Sequence, residues 1–326
     1  MSLSVQGLAM PGVHPLFVGV KKLERMIIMS TIELKKVKVP NGETIAYRER
    51  SGGDQTVLLI HGNMISSKHW DIFMEAFDSS YHLVAIDLPG FGESTYLSEI
   101  NSIQDLSNHV RLFVEALDLD LYAIVGWSTG GAVGLQYCAN YDHPTEKLVL
   151  LASASTRGYP FYATGEDGLP DPTRRLETFE EVKQDPGKTL AIQGAYDRKD
   201  RDLLKAIWNQ LIYTHNQPSP DKYEEYVDDL LTQRNLAEIY HALNTFNISN
   251  EFNGLIKGTG EVDKIDVPTL VLRGERDFVI TEDMAKEIVE DLGDLATFVE
   301  LKDSGHSPLV DDMGQLVREI EEFLKK

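Results

Sequence analysis

Gly126-Trp127-Ser128-Thr129-Gly130 sets a serine between glycines, directly after the apolar run Leu121 to Val125 and before a small-residue helical stretch, Ala132 to Tyr141. A G-x-S-x-G segment between a strand and a helix forces a sharp turn that holds the serine hydroxyl clear of the sheet, and small flanking residues let strand and helix pack closely. The five letters alone recur in many Gly/Ser loops. The strand before and the helix after are what make Ser128 a candidate nucleophile.

A serine hydroxyl is weak until a base takes its proton, and the base must be oriented by an acid. Val271-Leu272-Arg273-Gly274-Glu275-Arg276-Asp277 reads as a buried strand running into a loop that carries Asp277, and Thr297 to Leu301 as another, followed by Gly305-His306-Ser307-Pro308. A lone His in a loop is usually surface decoration and an Asp after a strand usually a turn residue. Ser128, Asp277 and His306 together, each just past a strand end and in this chain order, form a candidate triad. Rival acids are Glu275 and Asp303, and rival bases are His61 and His109.

Acyl transfer also needs two backbone N–H groups aimed at the tetrahedral oxyanion. Thr129, the residue after the nucleophile, is expected to supply one. The other is expected from the loop His61-Gly62-Asn63-Met64, from Asn63 first and Met64 second, with His61 bracing the loop. Trp127 and Met64, beside these groups, are the expected substrate contacts. The chemistry calls for no metal or organic cofactor.

The elements that must position these residues are legible as alternation. Strand-like segments lie at Glu33 to Val39, Glu43 to Arg50, Val57 to Ile60, His82 to Ile86, Leu121 to Val125, Lys147 to Leu151, Thr269 to Leu272 and Thr297 to Leu301. The first two pair as a hairpin around Asn41-Gly42. The later ones are apolar on both faces, as strands between two helical layers are. Helices are expected near Lys68 to Phe77, Ile103 to Leu117, Ala132 to Tyr141, Glu282 to Leu292 and Gly314 to Phe323, which makes the class α/β with a mostly parallel sheet.

The expected domain plan is a core of residues 31–152 and 267–326 with a helical cap insertion at 153–266. The insertion includes helices from Arg201 to His215 and Asp221 to Gln233, and carries Trp208, Tyr213, Tyr223, Tyr226, Tyr240 and Phe246. Aromatics at helical spacing normally pack inward, so most of these are assigned to the core of the insertion and the rest to a substrate cleft.

Composition narrows the partners. A formal charge of -21 argues against nucleic acid, whose backbone needs clustered Lys and Arg. No run of eighteen apolar residues suggests a membrane span. The single cysteine, Cys138, cannot form an internal disulfide, is expected to be a buried, inert thiol, and is compatible with a cytoplasmic location. Residues 1–30 lack the charged segment that precedes a secretory signal's apolar run. They are expected to be an extension, with Met26 or Met29 as alternative native starts.

The His61-Gly62 loop, Asp87-Leu88-Pro89-Gly90-Phe91-Gly92-Glu93-Ser94, the Ser128 turn, the Arg273 to Asp277 strand end and Gly305-His306 together resemble the α/β-hydrolase fold family. The resemblance covers nearly the whole chain after residue 30 and implies that fold, with Asp87 in a structural loop. Trp127, the loop His61 to Ser67 and Gly158-Tyr159-Pro160 are further similar to intracellular short-chain polyhydroxyalkanoate depolymerases of Bacillus type, which implies an ester substrate of the 3-hydroxybutyrate polyester or oligomer class. A simple carboxylesterase, a cofactor-free haloperoxidase, a carbon-carbon bond hydrolase and a ligand-binding receptor with little turnover share the same residues. A carboxylate-nucleophile dehalogenase or epoxide hydrolase does not.

Overall fold

The computed structural model describes residues 31–142 and 144–326; the expected extension and the alternative starts at Met26 and Met29 lie outside them. Eight strands form one sheet: β1 (Glu33–Lys38), β2 (Thr44–Arg50), β3 (Gln55–Ile60), β4 (Tyr81–Ile86), β5 (Leu121–Trp127), β6 (Lys147–Leu151), β9 (Thr269–Gly274) and β10 (Ala296–Leu301). Their spatial order is β1-β2-β4-β3-β5-β6-β9-β10. The β1/β2 and β2/β4 pairs are antiparallel and every other pair is parallel. All eight strands read from the sequence are present.

Burial follows position. β3, β5, β6 and β9 are almost wholly buried, which suits Val, Leu and Ile on both faces, whereas β10, expected to be buried too, is the opposite edge strand and is exposed at Thr297, Phe298 and Glu300. β1 at the edge is mostly exposed and carries three lysines, which discourages pairing with another chain. The hairpin turns at Gly42, whose φ of 96° suits glycine. Helix α1 (Asp71–Ala76) packs on the helix Met313–Leu324, and α2 (Ile103–Ala116) packs on α3 (Thr129–Asn140). Ser102 and Asp105 form a capping box at the start of α2. Helix α9 (Glu282–Leu292) begins at a Thr281 cap and crosses from β9 to β10.

The chain between β6 and β9 holds α4 (Phe179–Gln184), α5 (Ala191–Arg198), α6 (Arg201–Leu211), α7 (Pro220–Leu230) and α8 (Leu236–Asn244). It is not purely helical, as the sequence suggested. A two-stranded antiparallel ribbon, β7 (Tyr162–Thr164) with β8 (Pro170–Arg175), precedes the helices. β8 is largely exposed and contains two prolines, so neither alternation nor strand propensity marks it. The six aromatics singled out in this segment are all buried and join the same apolar core as the sheet. Cys138 is buried and unpaired, and desolvation pushes its thiol well above the usual range. Among the described residues no helix is long and apolar enough to cross a membrane.

Candidate active site

The strand order reverses direction at β3, which lies between β4 and β5, so the carboxyl ends of β3 and β5 open a crevice. Ser128 sits at the end of β5 with φ 55° and ψ −116°, a backbone that side chains rarely adopt and that surrounding contacts must hold. Its N–H donates to the Leu151 carbonyl at 2.9 Å, and its carbonyl accepts from Gly131 at 3.0 Å and Ala154 at 3.3 Å. Close packing supports the turn. A Cβ on Gly130 would lie 2.2 Å from the Ile60 carbonyl oxygen, so the first turn of α3 rests directly on the end of β3. Ser128 is half-buried.

The loop after β10 brings His306 to Asp277 in the loop after β9. His306 Nδ1 lies 2.9 Å from Asp277 Oδ2 and 3.2 Å from Oδ1, and both residues are buried. Asp277 Oδ1 also accepts from the Val279 and Ile280 N–H groups at 2.7 and 2.9 Å. The carboxylate is therefore fixed in orientation and favours the proton on His306 Nδ1, which leaves Nε2 as the ring's lone pair. Trp127 Nε1 donates to the His306 backbone carbonyl at 2.9 Å, tying the histidine loop to the residue before Ser128.

The rival residues are placed elsewhere. Glu275 and Asp303 are exposed; Glu275 accepts from the Asp303 N–H, and Asp303 pairs with Arg276. His109 bonds Asn41 at the hairpin turn. His61 is fully buried, with Nδ1 2.7 Å from the Gly62 carbonyl and Nε2 accepting from the Leu88 N–H at 3.0 Å. Desolvation lowers its pKa to about 4, so it braces two loops as a neutral ring. Asp87 is likewise structural, accepting from the Ser67 and Glu93 N–H groups at 2.8 and 2.9 Å.

A Cβ on Gly62 would lie 3.1 Å from Ser128 Cβ, so the His61-Gly62 turn passes beside the serine and carries Asn63 and Met64 past it. Met64 has φ 69°, a strained conformation for a residue with a side chain. Thr129 opens α3, where the first N–H groups have no intrahelical partner. One expectation changes. Trp127 is buried edge-on against Trp70 with its N–H satisfied by His306, so it braces the histidine loop rather than presenting a face to substrate.

Sequence reading missed the groups that reach this loop from the segment between β6 and β9. Asp229 accepts from Ser66 N–H at 2.8 Å and from Ser66 Oγ at 2.5 Å, and Gln233 Nε2 donates to Asn63 Oδ1 at 2.7 Å. Burial raises the Asp229 pKa to about 7, against the Ser66 hydrogen bonds. These partners are 163 and 170 residues apart in the chain, and no local pattern links them.

A sequence profile described as the alpha/beta hydrolase fold matches residues 55–312. The chain is 24% identical over 282 residues to the AB hydrolase superfamily protein YisY of Bacillus subtilis, covering 84% of this chain and 93% of that one. It is 22% identical over 263 residues to 2-hydroxy-6-oxononadienedioate/2-hydroxy-6-oxononatrienedioate hydrolase 1 of Pseudomonas putida, covering 78% and 84% of the two chains. Among solved structures, an esterase from Exiguobacterium antarcticum superposes with a TM-score of 0.68 at 19% identity, over 90% of this chain and 99% of that one.

Proposed function

This chain belongs to the alpha/beta hydrolase fold family, and on that premise we propose that it is a serine hydrolase of carboxylic esters with Ser128, His306 and Asp277 as its triad. The observation that carries the reading is the His306–Asp277 pair at 2.9 Å, whose histidine accepts through its backbone carbonyl from Nε1 of Trp127, the residue before Ser128. In the proposed cycle His306 Nε2 takes the Ser128 proton as Oγ attacks the ester carbonyl. The oxyanion is received by the N–H groups of Thr129 and Asn63. His306 then protonates the leaving alcohol, and the acyl-serine is hydrolysed by a water that His306 activates. Every proton is accounted for by one imidazole, so the chemistry calls for no cofactor.

The fold alone does not choose the substrate. A half-buried Ser128, with residues 229–235 seated on the loops around it, favours small esters or soluble 3-hydroxybutyrate oligomers over the face of a solid polymer. The polyester class itself rests on the sequence resemblance. A second reading, carbon-carbon bond hydrolysis, is favoured by the similarity to the Pseudomonas putida enzyme. The test is turnover of a short p-nitrophenyl ester, 3-hydroxybutyrate oligomers, polymer granules and a 2-hydroxy-6-oxo-dienoate, with Ser128→Ala as blank. Multiple turnovers of the esters by the native chain alone support the proposal, and release of 3-hydroxybutyrate assigns the class. Turnover of the dienoate with the esters untouched replaces it by the second reading, and a halt near one equivalent on every compound replaces it by a receptor.

A further inference from the structure

Residues 229–235, from the end of α7 to the start of α8, are fastened to two loops of the sheet. Ser66 is held by Asp229, the Gly92 N–H donates to Thr232 Oγ1 at 2.9 Å, and the Arg234 N–H donates to the Gly90 carbonyl at 2.9 Å. At their centre is Gln233, buried, with its amide bonding on both sides. Gln233 Oε1 accepts from the Tyr196 hydroxyl at 3.2 Å, and Nε2 donates to Asn63 Oδ1 at 2.7 Å and to Asn235 Oδ1 at 3.2 Å. Asn235 Nδ2 in turn donates to the Pro89 carbonyl at 2.9 Å. The network fixes which end of the Gln233 amide faces Asn63.

The short loop of residues 63–66 is thus tethered at both ends from the same segment, at Asn63 by Gln233 and at Ser66 by Asp229. Between the tethers lies Met64 at φ 69°. A non-glycine residue in this region is strained and persists only where its surroundings over-determine it. On the other flank, the Gly62 carbonyl lies 2.7 Å from His61 Nδ1.

We propose that Gln233 is a positioning residue for the oxyanion hole: through Asn63 Oδ1 it holds the Asn63 backbone N–H where the developing oxyanion will lie, so that seating of residues 229–235 on the sheet completes the hole. This rests on the reading of Ser128 as nucleophile and Asn63 as oxyanion donor. An N–H donor displaced from the oxyanion loses catalysis by up to about 10²–10³-fold, and a loosened tether gives part of that loss.

The test is the second-order rate of Ser128 labelling by a small alkyl fluorophosphonate, whose phosphoryl oxygen occupies the same hole. It uses the full chain, Gln233→Leu, Asn63→Ala, the double variant and Ser128→Ala, with kcat and KM on a p-nitrophenyl ester measured beside it. Asn63→Ala keeps the backbone N–H and cuts the same tether from its half-exposed end. The expected result is a roughly 10- to 100-fold slower labelling in each single variant, a matching loss in kcat at little change in KM, and no further loss in the double variant. Native-like labelling of either single variant, or losses that multiply in the double, overturns the inference and leaves the serine hydrolase reading intact. If Gln233→Leu does not fold, Asn63→Ala decides alone. A native chain that is not labelled at Ser128 overturns both.

Discussion

Asp277 does two tasks with one carboxylate, and that fixes what its closest isostere would do. Oδ1 is occupied by the Val279 and Ile280 N–H groups while Oδ2 faces His306 Nδ1. In Asp277→Asn the amide keeps its oxygen on the two backbone donors, because its NH₂ cannot accept from them. The NH₂ then faces Nδ1, so Nδ1 must accept and the ring proton moves to Nε2, the tautomer that cannot take a proton from Ser128. The expected outcome is a kcat lower by about 10³–10⁴-fold with the melting temperature nearly unchanged, checked by steady-state kinetics beside thermal unfolding. A loss under tenfold would mean that Asp277 does not orient the base. The proposed triad residues could be picked out from the sequence because each lies just past a strand end. Trp127 could not, since a tryptophan beside a serine reads equally as substrate contact or brace until its indole N–H is seen to meet the His306 carbonyl.

At the scale of elements, the turn at Ser128 depends on how closely α3 can approach the sheet. Two glycines of this helix separate close approach from mere permissiveness. A Cβ at Gly130 meets main chain, the Ile60 and His61 carbonyl oxygens at 2.2 and 2.6 Å, whereas one at Gly134 meets only the ends of Leu148 and Ile124 at 3.2 and 3.5 Å. Main chain in a buried sheet cannot step aside, so Gly130→Ala must lift the helix off β3. It is expected to lose about 1–3 kcal/mol together with most of the activity. Gly134→Ala is expected to be neutral or to gain up to about 1 kcal/mol from helix propensity. Urea midpoints of the two variants check this, and equal destabilisation would remove the close-approach explanation. The sheet strands and the helices around them were legible because strands apolar on both faces alternate with amphipathic helices. The ribbon β7–β8 and the seating of residues 229–235 were not, because both depend on partners distant in the chain: Asp185 binds Thr164, and Gln233 binds Asn63.

At the scale of the whole molecule, the buried imidazoles of His61 and His69 each make stability depend on acid. Desolvation lowers His61 to about 4 and His69 to about 3, while the unfolded chain protonates both near the ordinary value of 6.5. Below that value the unfolded chain binds more protons than the folded one, so stability is full above pH 6.5 and is lost as pH falls towards 4 and 3. Asp229, raised to about 7 by burial, acts in the opposite sense: the folded chain keeps a proton that the unfolded chain has released, so its term falls as pH rises through that window. His69 is the cleaner handle. It stacks on Tyr226 at 4.0 Å between ring centroids, and its Nε2 lies 3.4 Å from Asp229 Oδ2, whereas His61 is bonded into two loops. His69→Phe keeps the ring stack and deletes the titrating group. Its unfolding free energy, measured in urea at several values between pH 4 and 7.5, is expected to lose up to about 1.4 kcal/mol less per pH unit of acidification than the native chain. Parallel profiles for the two proteins would mean that His69 takes up its proton in the folded state, and that the acid sensitivity of this fold resides in His61 and the carboxylates.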